Sequence, residues 1–274
     1  MSIYTLLIVL YKKKVQESET IKSFIENCLD FHNQITLVIW DNSPNKLDAD
    51  TLYLDKHNIK YYYYHSPENK PLSSIYNNIL ITYKDSDIIF LFDQDSIITK
   101  EYFDKNIKAF LSHPNIGLSI PYVIHNKTIV SPGIFQFYRG HYLKNITFGL
   151  NDSKNLIAIT SGMAIKNKEI NNRNLKFDEN LSLYGIDTKF CLDYSAVFDK
   201  ILIIDYQLNH SLSQFEKEAK KTKIYRYKSQ MKAMRYITKQ RSIGAYILCF
   251  LATSIHYIML RIKPSVTIQN WRID

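Results

Sequence analysis

The sequence predicts an α/β fold, a mostly parallel sheet flanked by helices, with a C-terminal helical appendage. Three observations predict it. Apolar runs alternate with amphipathic stretches through the first 100 residues, carboxylates stand at the ends of two of those runs, and after about residue 215 the composition turns basic and then apolar. Unbroken apolar runs are what parallel strands covered on both faces require, and right-handed crossovers pack such a β-α series into one layered sheet with its functional loops at one edge.

The elements follow in order. Residues 3–11 read as a strand, 17–31 as a helix, 35–40 as a strand and 52–56 as a short helix. Residues 59–64 read as a strand, 73–83 as a helix and 88–92 as the next strand. A helix over 100–111 stops before His113-Pro114, because proline disfavours helical geometry in the residue before it. Between 116 and 165 come short apolar segments with turns expected at Pro121, Pro132-Gly133 and Ser161-Gly162, a variable half suited to a second substrate. A helix over 187–198 and a strand over 201–205 complete the sheet.

The most informative stretch is Asp87 to Ser96, DIIFLFDQDS, in which an apolar strand ends in two carboxylates one residue apart, Asp93 and Asp95. The C-terminal edge of an open α/β sheet is where ligands bind, and paired carboxylates suit a hard divalent cation that itself grips phosphate oxygens. Asp41, at the end of the second strand, falls on the same edge. The competing reading is a solvated loop in which Asp95 or Ser96 caps the next helix.

Composition narrows the classes. At 274 residues and 46% apolar content, the chain can bury a substantial core. Cys28, Cys191 and Cys249 are odd in number and lack metal-ligand spacing, which fits a reducing cytosol better than a disulfide framework. The run over 3–11 carries its lysines after it, so it reads as a strand and not as a secretory signal. A net charge of +9 invites nucleic acid, yet no nucleic-acid-binding motif is present. Between Lys217 and Arg241 ten Lys and Arg face one acid, Glu218, directly before the apolar stretch 243–260. Basic residues beside an apolar helix favour an anionic membrane surface over DNA. Ser242, Gly244, Thr253, Ser254 and His256 lower the hydrophobicity of that region. Three readings of it stay open: a membrane span, an interfacial helix, or packing against the catalytic domain or another subunit.

The order of the motifs LLIVLYKK, IWDNSP, ENKPLSSIYNNIL, FLFDQDS, ITSGMAI, FDENLSLYGIDTKFCLD and NHSLS resembles the inverting glycosyltransferases of family 2, and most closely their rhamnosyltransferase-like branch, over about residues 3–230. The resemblance implies the Rossmann-like GT-A fold. It also implies a catalytic domain over 1–215, with a nucleotide-sugar-binding half (1–100) and an acceptor half (101–215), and a helical region over 216–274 at the membrane.

The same resemblance assigns roles by position. Tyr11 would wall the nucleotide base, although a strand-end core aromatic is the alternative, and Asp41 would accept a hydrogen bond from the base N–H, which suits uracil or thymine. Asn69 and Asn77 would bind the nucleotide-sugar, and Ser161 and Gly162 would form a turn beneath the donor sugar and the acceptor. Asp93 would reach the ribose or the metal, and Asp95 and His210 would ligate Mg²⁺ or Mn²⁺ on the donor diphosphate. Asp187 would be the general base toward the acceptor hydroxyl, with helix N-capping as its other reading, and Glu179 would orient the acceptor. The implied partners are a dTDP- or UDP-sugar, a saccharide acceptor on a lipid carrier, and the inner face of a bacterial membrane, with no nucleic acid.

The chain departs from the family pattern at Pro71 and Ile79, where glycines are usual, and at Lys189 and Asp193, whose charges are reversed. A nucleotidyltransferase would also want carboxylates at strand ends, but no glycine-rich phosphate loop follows Leu10. A degenerate, purely binding GT-A-like protein would be expected to have lost Asp93, Asp95 or Asp187, all of which are present.

Overall fold

The computed structural model describes residues 3–46, 51–125, 127–210 and 220–262. The first half alternates as expected. It runs through β1 (Tyr4–Leu10), α1 (Glu19–Asn27), β2 (Ile35–Asp41), α2 (Thr51–Asp55), β3 (Tyr61–His65), α3 (Leu72–Thr82) and β4 (Ile88–Asp93). A two-residue strand, β5 (Ser96–Ile97), and α4 (Lys100–Ser112) follow.

The second half is richer in short strands than its sequence suggests. It contains β6 (Leu118–His125), β7 (Thr128–Ser131), β8 (Gly133–Gln136), β9 (Arg139–Tyr142), β10 (Gly149–Asp152), β11 (Leu156–Ile157) and β12 (Met163–Lys166). Then come α5 (Asn167–Asn172), α6 (Ile186–Val197), β13 (Lys200–Gln207), β14 (Asn209–His210), α7 (Lys220–Arg241) and α8 (Ile243–Ile262).

Among the described residues the central sheet has the order β10-β13-β6-β12-β4-β1-β2-β3, with β7 paired to β6. Strands β3, β2, β1 and β4 are mutually parallel. Strand β12 runs antiparallel between β4 and β6, and β13 returns parallel to β6. Strands β11, β8 and β9 form a separate small sheet, and β14 pairs with β5.

Alternation along β1 explains its unbroken apolar run. Leu7 and Val9 join Val38 and Leu91 in a core shared with α3, α6 and α7, while Leu6, Ile8 and Leu10 join Leu37, Ile39 and Phe92 in a second core under α1 and α4. In α1 the spacing of Ile21, Phe24 and Ile25 turns one apolar stripe inward, and Ser18 accepts the Ile21 N–H at the helix start. The helix expected over 17–31 ends earlier, at Asn27. Cys28 leaves helical geometry, and a 3₁₀ turn over Leu29–Phe31 sets the Phe31 ring 5.0 Å from Phe103.

Pro121, expected in a turn, lies inside β6. It sits beyond the last residue that β6 pairs with β12 and where the β6–β13 register is irregular, so its missing N–H breaks no regular ladder. All three cysteines are buried free thiols, and burial pushes Cys28 and Cys191 up to about 12. No helix among the described residues is long and apolar enough to cross a membrane.

Candidate active site

The loops that follow β1 to β4 meet at one sheet edge and are laced together by hydrogen bonds. Tyr11 donates its N–H to Gln94 Oε1 at 2.9 Å, and Lys12 donates its N–H to Ser43 Oγ at 2.7 Å. His65 Nε2 meets the Ser43 carbonyl at 2.9 Å. Asn42 clamps the loop after β3: its amide donates to Asn69 Oδ1 (3.0 Å) and to the Lys70 carbonyl (2.9 Å), and its own oxygen accepts the Lys70 N–H (2.8 Å). Asn69 is exposed with a left-handed backbone (φ 49°), a conformation asparagine tolerates better than most residues. The Tyr11 ring is 41% exposed at the rim.

Asp41 sits below this edge and is fully buried. Its Oδ1 accepts the Ser43 N–H at 3.0 Å and its Oδ2 the Tyr63 hydroxyl at 2.6 Å. Burial first, and then the bond to Asp41 and its charge, raise Tyr63 well above the ordinary phenol value, so Tyr63 stays a neutral donor.

The Asp93-Gln94-Asp95 loop is pinned from two sides by buried hydroxyls. From α1, Thr20 donates to the Asp93 carbonyl (2.6 Å) and accepts the Ser96 N–H (2.9 Å), while Ser18 donates to the Gln94 carbonyl (2.9 Å). From the approach to β12, Ser161 Oγ accepts the Asp93 N–H (3.2 Å) and lies 2.9 Å from Ser96 Oγ. Gly162 has φ 87° and donates its N–H to the Leu91 carbonyl. A Cβ there would lie 2.7 Å from Pro121 Cγ and 2.9 Å from Leu208 Cδ2, so only glycine fits.

The β5–β14 pairing sets His210 opposite Ser96, one residue beyond Asp95. The His210 side chain lies outside the described residues, as do 211–213 of the NHSLS motif. Among the described residues no three His, Cys, Asp or Glu side chains form a metal cage. The two carboxylates on one loop fit instead a cation that takes several of its ligands from a phosphorylated substrate.

Asp187 lies in the first turn of α6 and is 8% exposed, its Oδ1 accepting the Thr188 N–H at 2.6 Å. Gly185 precedes the helix with φ 75°. The segment before it is docked on α3 by Asn77, whose amide donates to the Phe177 carbonyl and to Glu179 Oε1 (both 2.9 Å) and whose oxygen accepts the Phe177 N–H (2.9 Å). Asn77, expected to bind the nucleotide-sugar, thus holds the Glu179 loop in place. Glu179 itself is exposed.

Tyr76, which the sequence reading passed over, links the two halves. It is buried and hydrogen-bonds with Thr160, and it stays far above the ordinary phenol value through burial first and then through the charges of Asp93 and Asp187. Ser96, which the sequence offered with Asp95 as a cap of the next helix, instead meets Ser161, and Thr99 stands at the start of α4. The missed hydroxyls Ser18, Thr20 and Tyr63 read in sequence as ordinary helix, loop or strand residues. Only Ser18, a helix-capping type before an amphipathic run, carries a local signal.

The two reversed charges compensate each other. Lys189 Nζ lies 2.6 Å from Asp193 Oδ1 and 3.8 Å from Asp178 Oδ2, which also accepts the Tyr236 hydroxyl of α7 at 2.8 Å. Beside the start of α6, Ser131, Gly133, His141, Tyr142, Ala158 and Thr188 line a recess. Burial and the neighbouring Arg139 lower the His141 pKa, which favours a neutral imidazole there.

No protein-family model and no curated protein matches the chain. Solved structures match it in fold. S. aureus TarS superposes with a TM-score of 0.57 at 11% identity, covering 98% of this chain and 45% of that one. GalNAc-T7, solved with UDP, GalNAc and Mn²⁺, gives 0.63 at 12% identity, covering 87% of this chain and 48% of that one. The mannosyltransferase PcManGT from Pyrobaculum calidifontis, in complex with GDP-Man and Mn²⁺, gives 0.56 at 11% identity, covering 99% and 76%. The chain thus spans less than half the length of the first two. At such identities the likeness is one of architecture: a mostly parallel central sheet flanked by helices, with the GT-A fold of glycosyltransferases.

Proposed function

We propose that this protein is a metal-dependent, inverting glycosyltransferase. It moves a sugar (rhamnose, galactofuranose or another hexose) from a dTDP- or UDP-sugar to a saccharide on a lipid carrier. The setting is bacterial surface polysaccharide synthesis, O-antigen or capsule, at the cytoplasmic face of the membrane. The observation that carries the reading is the lacing of the Asp93-Gln94-Asp95 loop to the loops after β1 and β2, through Tyr11 to Gln94 and through Lys12 and Asp41 to Ser43, at one sheet edge of a GT-A fold.

The residues divide the work. Asp93 and Asp95, with His210 from β14, would hold Mg²⁺ or Mn²⁺; Mn²⁺ is the ion in the GalNAc-T7 and PcManGT structures. When bound, the cation neutralises charge that builds on the departing nucleoside diphosphate. Asp41, buried with its oxygens holding Ser43 and Tyr63, underlies the nucleotide site, and Tyr11 and Asn69 border it. Ser161 and Gly162 let the chain pass close beneath the donor sugar. Asp187 takes the proton of the acceptor hydroxyl as its oxygen bonds to the anomeric carbon and the bond to the diphosphate breaks on the opposite face. Glu179 and the recess by His141 orient the acceptor. Tyr76, buried beneath the site, remains protonated and so adds no further negative charge there.

Calorimetric titration with UDP, dTDP and GDP, in Mn²⁺ and then in EDTA, tests the reading. Metal-dependent binding of a pyrimidine nucleotide that excludes GDP is expected. A folded protein that binds none of the three overturns it.

A further inference from the structure

Helix α8 is built the wrong way round for a soluble surface helix. Its buried residues are polar or small: Cys249, Thr253 and His256 lie against α7. Arg235 of α7 donates to Thr253 Oγ1 (2.9 Å) and Ser254 Oγ (2.9 Å) and stacks 4.3 Å over the Phe250 ring. Tyr227 donates to the Thr253 carbonyl (3.2 Å) and packs its ring 5.0 Å from His256. Of the residues that lower the hydrophobicity of this stretch in sequence, Thr253 and Ser254 are thus hydrogen-bonded, and His256 is packed, within the α7–α8 pair.

The outward side is apolar along its length. Ile243, Ile247, Leu251, Ile255, Ile258 and Met259 recur at spacings of one to four residues and are each half or more exposed. Scattered surface leucines need no explanation, but a continuous apolar stripe on a helix of 20 residues, roughly 30 Å long, does. Beside it, α7 carries nine Lys and Arg and no acid, with Lys228, Lys232 and Lys239 exposed. A second copy of the pair would bring two such cationic helices together, whereas an anionic headgroup layer complements them.

We propose that the outward stripe of α8 lies in the interfacial layer of an anionic bilayer, with the α7 lysines over the headgroups. This deepens the functional reading, on which it rests only for the lipid-borne acceptor, by naming the surface that docks.

Sedimentation of the full chain with vesicles of phosphatidylcholine, alone or with about one third phosphatidylglycerol, at about 0.15 M salt, tests it. Wild type is expected to pellet with the anionic vesicles and to stay in the supernatant with the neutral ones. Leu251→Asp combined with Ile255→Asp, and separately Lys228→Glu combined with Lys232→Glu, should each weaken pelleting by about tenfold or more. All these side chains are outward, and thermal melting confirms that the variants fold. Equal pelleting of wild type and both variants overturns the proposal. So does a wild type that ignores vesicles and is a dimer by light scattering, split by Leu251→Asp with Ile255→Asp. Calorimetry with UDP, dTDP and GDP on the same variants separates the two readings: if none binds any of these nucleotides, the transferase assignment fails while the vesicle result still decides the docking surface.

Discussion

The two carboxylate regions of the site are held by different means. The Asp93-Gln94-Asp95 loop is fixed by hydroxyl groups, Thr20, Ser18, Ser161 and Ser96, reaching in from α1 and from the approach to β12. The start of α6, with Asp187, is fixed by close apolar packing from a helix far along the chain. A Cβ on Gly185 would lie 3.1 Å from both Ala233 Cβ and Ile237 Cδ1 of α7, and Ile237 is fully buried. Directional bonds hold a loop that must present oxygens at fixed points, since their geometry tolerates little deviation. Packing against α7 instead ties the base helix to the element that precedes α8. The loop proposed to hold the donor is braced from α1 and the approach to β12, and the helix proposed to carry the base is braced by α7.

The largest expected effect is on the donor side. Gly162→Ala combines a left-handed backbone with a Cβ pressed on Pro121, which should cost roughly 2–5 kcal/mol and lower the thermal midpoint of the whole fold. On the base side, Ile237→Ala should cost about 2–4 kcal/mol. Amide exchange should rise over residues 181–189 while nucleotide affinity holds, and an equal loss of nucleotide binding would erase the contrast. Thr20→Val removes a hydroxyl that both donates and accepts, at about 1–2 kcal/mol, and should weaken UDP binding several-fold without raising exchange around Asp187.

The smallest effect is Tyr236→Phe, about 0.5–1.5 kcal/mol at neutral pH, and it has a pH signature. Burial alone would raise the Asp178 carboxyl, but the Asn180 N–H and amide, the Tyr236 hydroxyl and the Lys189 charge hold it below the ordinary value. A depressed folded value means that the contribution is present above the unfolded value, about 4, and is lost as pH falls through the folded one. The wild-type and Tyr236→Phe melting curves should therefore differ at neutral pH and converge in acid. A constant gap would assign the effect to packing.

Much of the sheet was legible because parallel strands covered on both faces leave unbroken apolar runs, as in IIFLF of β4 and LLIVL of β1. Strands such as β9 (RGHY) and β10 (GLND) were not, since they are short, half exposed, and set by tertiary pairing with neither an apolar run nor an alternation to mark them. The carboxylates at strand ends could be read directly. The hydroxyls that pin them could not, because a buried Thr20 and an exposed one look alike in sequence. The bracing role of α7 was hidden for a similar reason: its lysines and arginines dominate the pattern, while Ala233, Met234 and Ile237 mark the side packed on the core.

The most direct test of the central claim, one site with a metal-and-diphosphate side and a separate base side, is calorimetric titration of wild type, Asp95→Asn and Asp187→Asn with UDP and dTDP in Mn²⁺. The account predicts that Asp95→Asn loses nucleotide binding while Asp187→Asn keeps affinity close to that of wild type. Loss of binding in both variants, or full retention in Asp95→Asn, would contradict it.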